Sequence, residues 1–275
     1  MIASVAADCS SELEAGGVVR LPDRPFCLTA AETRLLTPGK SAGGAKNVSF
    51  DPATGKVRGA TGDDSGEAAR LMKRFSNWAR RLAVELAPAF GPHLQFGRTS
   101  FRPRAIDAAP LSARKDDRRL HADAFPSRPT GGQRILRVFS NISPVGEPRV
   151  WQVGEPFEDY ARRWIGETRG MWPGEAWLLH RMGVTRGRRT AYDALMVALH
   201  DRAKLDDAYQ AAAPRREMVF AAQSSWIAFT DGVVHAAVAG RWALEQTFYL
   251  PVEAMADPAA SPLRVLERMT GRRLT

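Results

Sequence analysis

Apolar and polar positions repeat along this chain with two different periods, and the change of period divides it into blocks. From Glu67 to Ala87, Leu71, Phe75, Trp78, Leu82 and Leu86 recur at steps of three and four, with Lys73, Arg74, Arg80 and Arg81 between them. That spacing predicts an amphipathic helix, stopped before Pro88. Between residues 93 and 153 the pattern shortens to β-prone runs broken by Pro and Gly: His93 to Phe101, Arg119 to Phe125, Arg134 to Ile142 and Arg149 to Val153. Helical spacing returns over Phe157 to Ile165 and again over Thr190 to Tyr209, where Thr190 and Asp193 are placed to form a capping box. Strands resume at Met218 to Ala221, Ser225 to Phe229, Val233 to Val238 and Ala243 to Leu250.

Residues 1–65 are rich in Gly, Pro, Ser and Thr. Turn signals stand at Pro38-Gly39, Gly43-Gly44 and Asp51 to Gly55, and a short hairpin is expected around Val48 to Val57. Strands, a helical block, then strands again predict an α+β fold built on a double-stranded β-helix, the jelly-roll or cupin-like core, with flanking helices. The expected organisation is one domain over residues 1–275, with a loop-rich segment over 1–65 and a helical insertion over 155–212 between the two halves of the jelly roll. A Rossmann-type sheet fits less well, because no Gly-rich phosphate loop opens a helix after a strand.

Composition narrows the class without fixing the chemistry. With 44% hydrophobic and 25% charged residues over 275 positions, the chain can bury a sizeable core. Lys and Arg outnumber Asp and Glu by 39 to 30, a formal charge of +9 that favours an anionic partner. Cys9 and Cys27 form no metal-binding spacing, so a reducing compartment is expected. The N-terminus lacks the basic start of a secretory signal, and no apolar run reaches membrane-spanning length. A cytoplasmic protein follows, with the cytoplasmic face of a membrane as an expected peripheral station.

The candidate chemistry centres on Arg119-Leu120-His121-Ala122-Asp123-Ala124-Phe125. On a strand, side chains alternate between faces, so His121 and Asp123 share one face and could reach a single ion. A third ligand must come from elsewhere, and His235, in an apolar strand just after the Asp231-Gly232 turn, is the best supplier. Two histidines and a carboxylate on one face of Fe(II) leave positions for a chelating 2-oxo acid and for dioxygen. His93, His180 and His200 lack partners at ligand spacing and read as surface or structural histidines.

A 2-oxoglutarate cosubstrate also needs a cation for its far carboxylate, ideally an arginine. Arg137 interrupts the apolar run Ile135-Leu136-Arg137-Val138-Phe139 and is the first choice, with Arg149 before Val150-Trp151 a weaker one. Arg128, Arg102 and Arg104 flank the metal segment or a neighbouring strand and could contact an anionic substrate. The tryptophans read as core residues.

The strings His121 to Arg128, Arg134 to Pro144, Pro148 to Phe157 and Ala243 to Pro251 resemble the 3-deoxy-D-manno-oct-2-ulosonic acid (Kdo) hydroxylase family of Gram-negative bacteria, and the resemblance runs from about Lys46 to Val252. It implies a jelly-roll, non-haem iron dioxygenase that uses Fe(II), 2-oxoglutarate and O2 to hydroxylate C3 of a Kdo residue on a Kdo-containing lipid A precursor of lipopolysaccharide. The implied metal ligands are His121, Asp123 and His235. In the wider superfamily an arginine often follows the distal histidine by eleven residues; here that position is Gln246, which can hydrogen-bond a carboxylate but not neutralise it. Arg137 is therefore preferred as the cation, with Arg241 as a further choice.

Two competing readings stand beside this one. The same iron site could act on a protein side chain or another anion. A basic anionic-lipid or nucleic-acid binding module would make the charge itself the function, but the Lys and Arg residues are scattered in sequence and no nucleic-acid motif appears.

Overall fold

The computed structural model describes residues 7–36, 47–60, 64–106, 112–168, 172 and 174–275. The turn signals Pro38-Gly39 and Gly43-Gly44 lie outside the described residues. The chain opens with α1 (Ser10–Glu14), β1 (Val18–Leu21), α2 (Ala30–Thr33), β2 (Val48–Phe50) and β3 (Val57–Arg58), followed by the long α3 (Asp64–Leu86). Then come β4 (Gln95–Arg102), β5 (Arg134–Asn141) and β6 (Arg149–Pro156). Four helices separate β6 from the remaining strands: α4 (Phe157–Trp164), α5 (Glu175–Arg181), α6 (Ala191–Leu205) and α7 (Asp207–Ala212). The chain ends with β7 (Arg216–Phe220), β8 (Ser224–Phe229), β9 (Val233–Ala239), β10 (Ala243–Leu250) and α8 (Pro262–Thr270).

The strands form two antiparallel sheets, one of order β1-β8-β5-β10-β4-β2-β3 and one of order β7-β6-β9. This is the jelly-roll, cupin-like arrangement of a double-stranded β-helix with flanking helices, as the sequence predicts. Alternation along each strand decides what faces what. On β5 and β8, Leu136, Val138, Ile227 and Phe229 point outward into a core shared with Leu71, Phe75, Leu82 and Leu86 of α3. Their neighbours Phe139, Trp226 and Ala228 point inward, where they meet Trp151, Met218, Phe220 and Ala237 between the sheets. The aromatic stack of Phe139, Trp226 and Phe220, with ring centroids 5.1 and 4.0 Å apart, seals one end of that space.

Two sequence expectations change. The helix predicted from Thr190 to Tyr209 has its capping box, with Thr190 and Asp193 satisfying each other's backbone N–H groups, but it breaks at Asp206. The Asp206 carboxylate accepts the Tyr209 N–H at 2.8 Å and caps α7, the competition for backbone that makes Asp a better cap than interior residue. The segment Arg119 to Phe125 is not a regular strand. Pairing reduces to one bridge, in which His121 and His235 exchange N–H···O bonds of 3.0 and 2.8 Å. The Gln210 side chain takes up both the N–H and the C=O of Leu120, and the Asp123 N–H crosses to Thr230 O, so the backbone has no ladder left to continue.

Candidate metal centre and its cavity

Although the strand is irregular, its alternation survives where it matters: Leu120 and Ala122 enter the apolar core, while His121 and Asp123 face the space between the sheets. β9 brings His235 to the same place through the His121 bridge. One nitrogen of each histidine and one oxygen of Asp123 lie within 4.8 Å of one another, and all three residues are buried. The His121 Nδ1–H donates to Arg119 O at 2.7 Å and the His235 Nδ1–H to Val233 O at 2.8 Å. Each bond fixes the tautomer that leaves a lone pair on Nε2.

Burial holds both imidazoles below the ordinary histidine range, His121 well below it, with the mutual repulsion of the two rings adding to the effect at His121. They are neutral and ready to ligate at pH 7. Burial opposes ionisation of Asp123, yet Arg137 and the two histidines outweigh it and keep the carboxyl below its usual range. Its Oδ2 lies against Arg137, while Oδ1 lies 3.7 Å from His121 Nε2. Two preset lone pairs and a buried carboxylate oxygen within 4.8 Å of one another could hold a metal ion, and their types match a 2-His-1-carboxylate donor set.

A cavity of about 470 Å³ opens over this triad. Trp151 stacks on the His235 ring at 4.7 Å and 26°, fixing its plane. His200, from α6, meets His121 edge-on at 5.3 Å and donates from Nδ1 to Asp201 at 3.0 Å. Lys204, one turn further along α6, is 1% exposed and also lines the cavity.

The four cosubstrate candidates separate clearly. Arg137 is at the cavity, but its charge is already matched: Nη1 lies 3.2 Å from Asp123 and 3.6 Å from Glu245, and the guanidinium sits over Phe125. Arg149, which sequence ranks second, is also at the cavity and 4% exposed, yet among the described residues no carboxylate lies within ion-pair distance of it. Its Nη1 donates to Gly240 O at 3.3 Å, and its buried Nε has no partner. Burial, helped by Arg102, pulls its pKa down to about 10. Gly240, at φ +105°, makes room for it; a Cβ there would lie 2.8 Å from Arg149 Cα.

Gln246 is a correction. It points to the opposite face of β10, where Thr99 Oγ1 donates to its Oε1 at 2.6 Å, because Glu245 and not Gln246 occupies the inward position. Arg241 is another: its Nε donates to Pro103 O and its guanidinium lies 4.3 Å over Trp242, in the turn before β10 and away from the cavity.

Among the substrate candidates, Arg102 lines the cavity but is bound by Glu245 and Asp117 at 2.8 and 3.0 Å. These carboxylates overcome burial and raise its pKa. Arg104 is exposed and outside the cavity lining, and Arg128 lies half-buried beyond Phe125 and Pro126. Sequence reasoning missed Glu245, His200 and Lys204. The signal for Glu245 was present, a charge interrupting the apolar run Ala243 to Leu250, the same signal that identified Arg137.

The sequence profile of the 3-deoxy-D-manno-oct-2-ulosonic acid (Kdo) hydroxylases matches residues 1–273. A solved structure described as the Kdo hydroxylase KdoO, a non-heme Fe(II) alphaketoglutarate dependent dioxygenase in complex with alphaketoglutarate and Fe(III), is 42% identical, with a TM-score of 0.92 over 97% of this chain and 90% of that one. A KdoO complex with cobalt(II) is 44% identical with a TM-score of 0.93, again over 97% of this chain and 90% of that one. One with succinate and Fe(III) is 42% identical with a TM-score of 0.91 and the same coverage. No curated protein matches the chain.

Proposed function

The chain belongs to the Kdo hydroxylase family, and from that premise we propose which of its residues perform the reaction and where it takes place. The protein is a non-haem Fe(II)- and 2-oxoglutarate-dependent dioxygenase that hydroxylates Kdo. His121, Asp123 and His235 hold the iron, and Arg149 grips the far carboxylate of 2-oxoglutarate. The observation that carries this assignment is the convergence of the three donors beside a buried arginine that, among the described residues, has no carboxylate within ion-pair distance. A buried guanidinium is costly unless an anion joins it, and a dicarboxylate entering the cavity supplies that anion.

Bound iron supplies the coupled oxidation, in which 2-oxoglutarate becomes succinate and CO2 while one oxygen atom enters a C–H bond of the sugar. The protein's own residues do the rest. The carbonyls of Arg119 and Val233 hold the two imidazoles in the ligating tautomer. Arg137 keeps Asp123 ionised. Trp151 and Phe139 wall the cavity with apolar surface, which excludes water from the reacting groups. The Arg102, Glu245 and Arg137 network pairs the inward charges of the large sheet, and among the described residues Arg149 is the cavity arginine with no carboxylate within ion-pair distance.

The substrate assignment is C3 of a Kdo residue on a lipid A precursor. Purified protein supplied with Fe(II), 2-oxoglutarate and O2 is expected to form succinate and a Kdo-lipid heavier by one oxygen in equal amounts. Succinate formed at the same rate without Kdo-lipid, and no heavier product, would contradict it.

A lipid-borne substrate places the enzyme at an anionic membrane surface on the cytoplasmic side. Trp177, Leu178, Met182 and Val184 are each at least 50% exposed beside the exposed Arg181 and Arg188, the mix of apolar and cationic side chains that seats in a lipid interface. Cosedimentation with anionic vesicles is expected to exceed that with zwitterionic ones and to fall in Trp177→Ala. Equal sedimentation with both would rule out this mode of approach.

A further inference from the structure

Outside the iron site, several arginines pair with acids: Arg24 with Glu85, Arg74 with Glu32, Arg118 with Asp116, Arg163 with Glu155 and Arg264 with Glu267. Arg98, Arg128 and Arg186 lie close enough to feel one another's charge. Among the described residues, none of the three has a carboxylate within ion-pair distance; the acid that Arg98 and Arg128 both feel, Asp51, lies farther off.

Backbone contacts hold the group together. The Arg128 N–H donates to Phe125 O at 3.1 Å, closing a turn, and the Arg186 N–H donates to Ser127 O at 3.0 Å, drawing the segment after α5 onto that turn. Arg189 adds a bond of 2.6 Å from Nη2 to Pro126 O. Arg98, near the start of β4, donates from Nη1 to Ser49 Oγ at 3.0 Å and holds a buried Nε without a partner.

The cluster is continuous with the mouth of the iron cavity. Phe125 and Pro126, which start the turn carrying Arg128, are themselves cavity walls. Tyr249 lies on the same face of β10 as Glu245, and it feels Arg128, Arg137, Arg98 and Asp123 together. The inward row therefore runs from acid-matched arginines at the depth of the site to unmatched arginines at its rim. A solvated surface cluster does not explain Arg98, whose Nε is buried, beside two further arginines, Arg128 and Arg186, whose segments are drawn together by main-chain bonds.

We propose that Arg98, Arg128 and Arg186 form an oxyanion subsite at the rim of the cavity, which takes a carboxylate or phosphate of the substrate set outward from the sugar being hydroxylated. The proposal rests on the reading that this sugar is Kdo. Guanidinium groups suit it because each presents a planar pair of donors to two oxygens of one oxyanion. Binding an anion also offsets the mutual repulsion of the three cations.

The test is steady-state kinetics of wild type, Arg128→Ala, Arg186→Ala and the double variant Arg98→Lys with Arg128→Ala, using a Kdo-lipid A precursor and the same lipid stripped of its phosphates. Losing a charge-assisted contact should raise KM for the Kdo-lipid about tenfold to a hundredfold. kcat and the KM for 2-oxoglutarate should stay within about twofold, as for an interaction made equally in ground and transition states. If phosphate is the ligand, the stripped lipid lowers wild type to the level of the variant; if a carboxylate is, the difference between them persists. Unchanged KM for the Kdo-lipid in the double variant would overturn the proposal, as would an equal loss of 2-oxoglutarate affinity. Anaerobic binding of the Kdo-lipid, measured without turnover, decides the subsite independently. A wild type that binds the lipid more tightly than the variants but never hydroxylates it would refute the Kdo reading and keep the subsite.

Discussion

His121→Ala is expected to abolish tight iron binding and to lower 2-oxoglutarate turnover by more than about a hundredfold, since losing even a partner of a metal ligand costs about 10- to 100-fold. His235→Ala should match it, because both rings are held in the same tautomer by a main-chain carbonyl two residues before them. The bridge that joins the two positions is made by main-chain atoms and survives either substitution. Folding should therefore persist while metal affinity is lost, a separation that thermal melts of the metal-free protein beside metal analysis will show. Asp123→Asn is the informative third variant. It keeps the shape but removes the charge that balances Arg137 at 3.2 Å, so it should lose stability as well as iron.

Arg149→Ala should leave iron binding nearly intact and raise the 2-oxoglutarate requirement steeply. Removing one partner of a buried, hydrogen-bonded charge pair costs about 2–5 kcal/mol, roughly thirtyfold to a few thousandfold in affinity. The metal-free protein provides the contrast. There Arg149 is buried with its Nε unpartnered and its pKa pulled down to about 10 by burial and by Arg102, so removing it should not lower the melting temperature and could raise it. Arg137→Ala should behave in the opposite way, destabilising the free protein because it takes the cation from the buried Asp123 and the weaker of two from Glu245. Comparing KM for 2-oxoglutarate and melting temperature across the two variants separates the roles. A larger KM increase in Arg137→Ala than in Arg149→Ala would reverse the assignment.

How much of this was legible in the sequence depends on how local each signal is. The strands β4, β5, β8, β9 and β10 and the long helix α3 follow from periodicity, because burial on one face writes itself into neighbouring positions. The convergence of His121, Asp123 and His235 was legible for the same reason. A two-residue spacing puts His121 and Asp123 on one face, and an isolated His235 inside an apolar strand marks a buried polar group.

What failed was pairwise and non-local. That Arg137 is matched by Glu245, and that Arg149 is not, depends on which strands lie side by side, and the β5–β10 register opposes Glu245 to Phe139 with Arg137 two positions away. Gln246 was misplaced because counting residues from His235 ignores the turn at Gly240 to Trp242, which sets the inward face of β10. The irregular metal segment was unpredictable for a related reason, since Gln210 from α7 replaces its ladder. The rim arginines were hidden too. Arg98, Arg128 and Arg186 look scattered in sequence and become a cluster only when the turn at Phe125 and the segment after α5 are brought together.

The most direct measurement of the central claim is iron content and the visible spectrum of anaerobic protein titrated with Fe(II) and then 2-oxoglutarate. One iron per chain, with a visible band that appears only on adding 2-oxoglutarate, is lost in His121→Ala and needs far more cosubstrate in Arg149→Ala, is the predicted result. Iron and the band both retained in His121→Ala would contradict it.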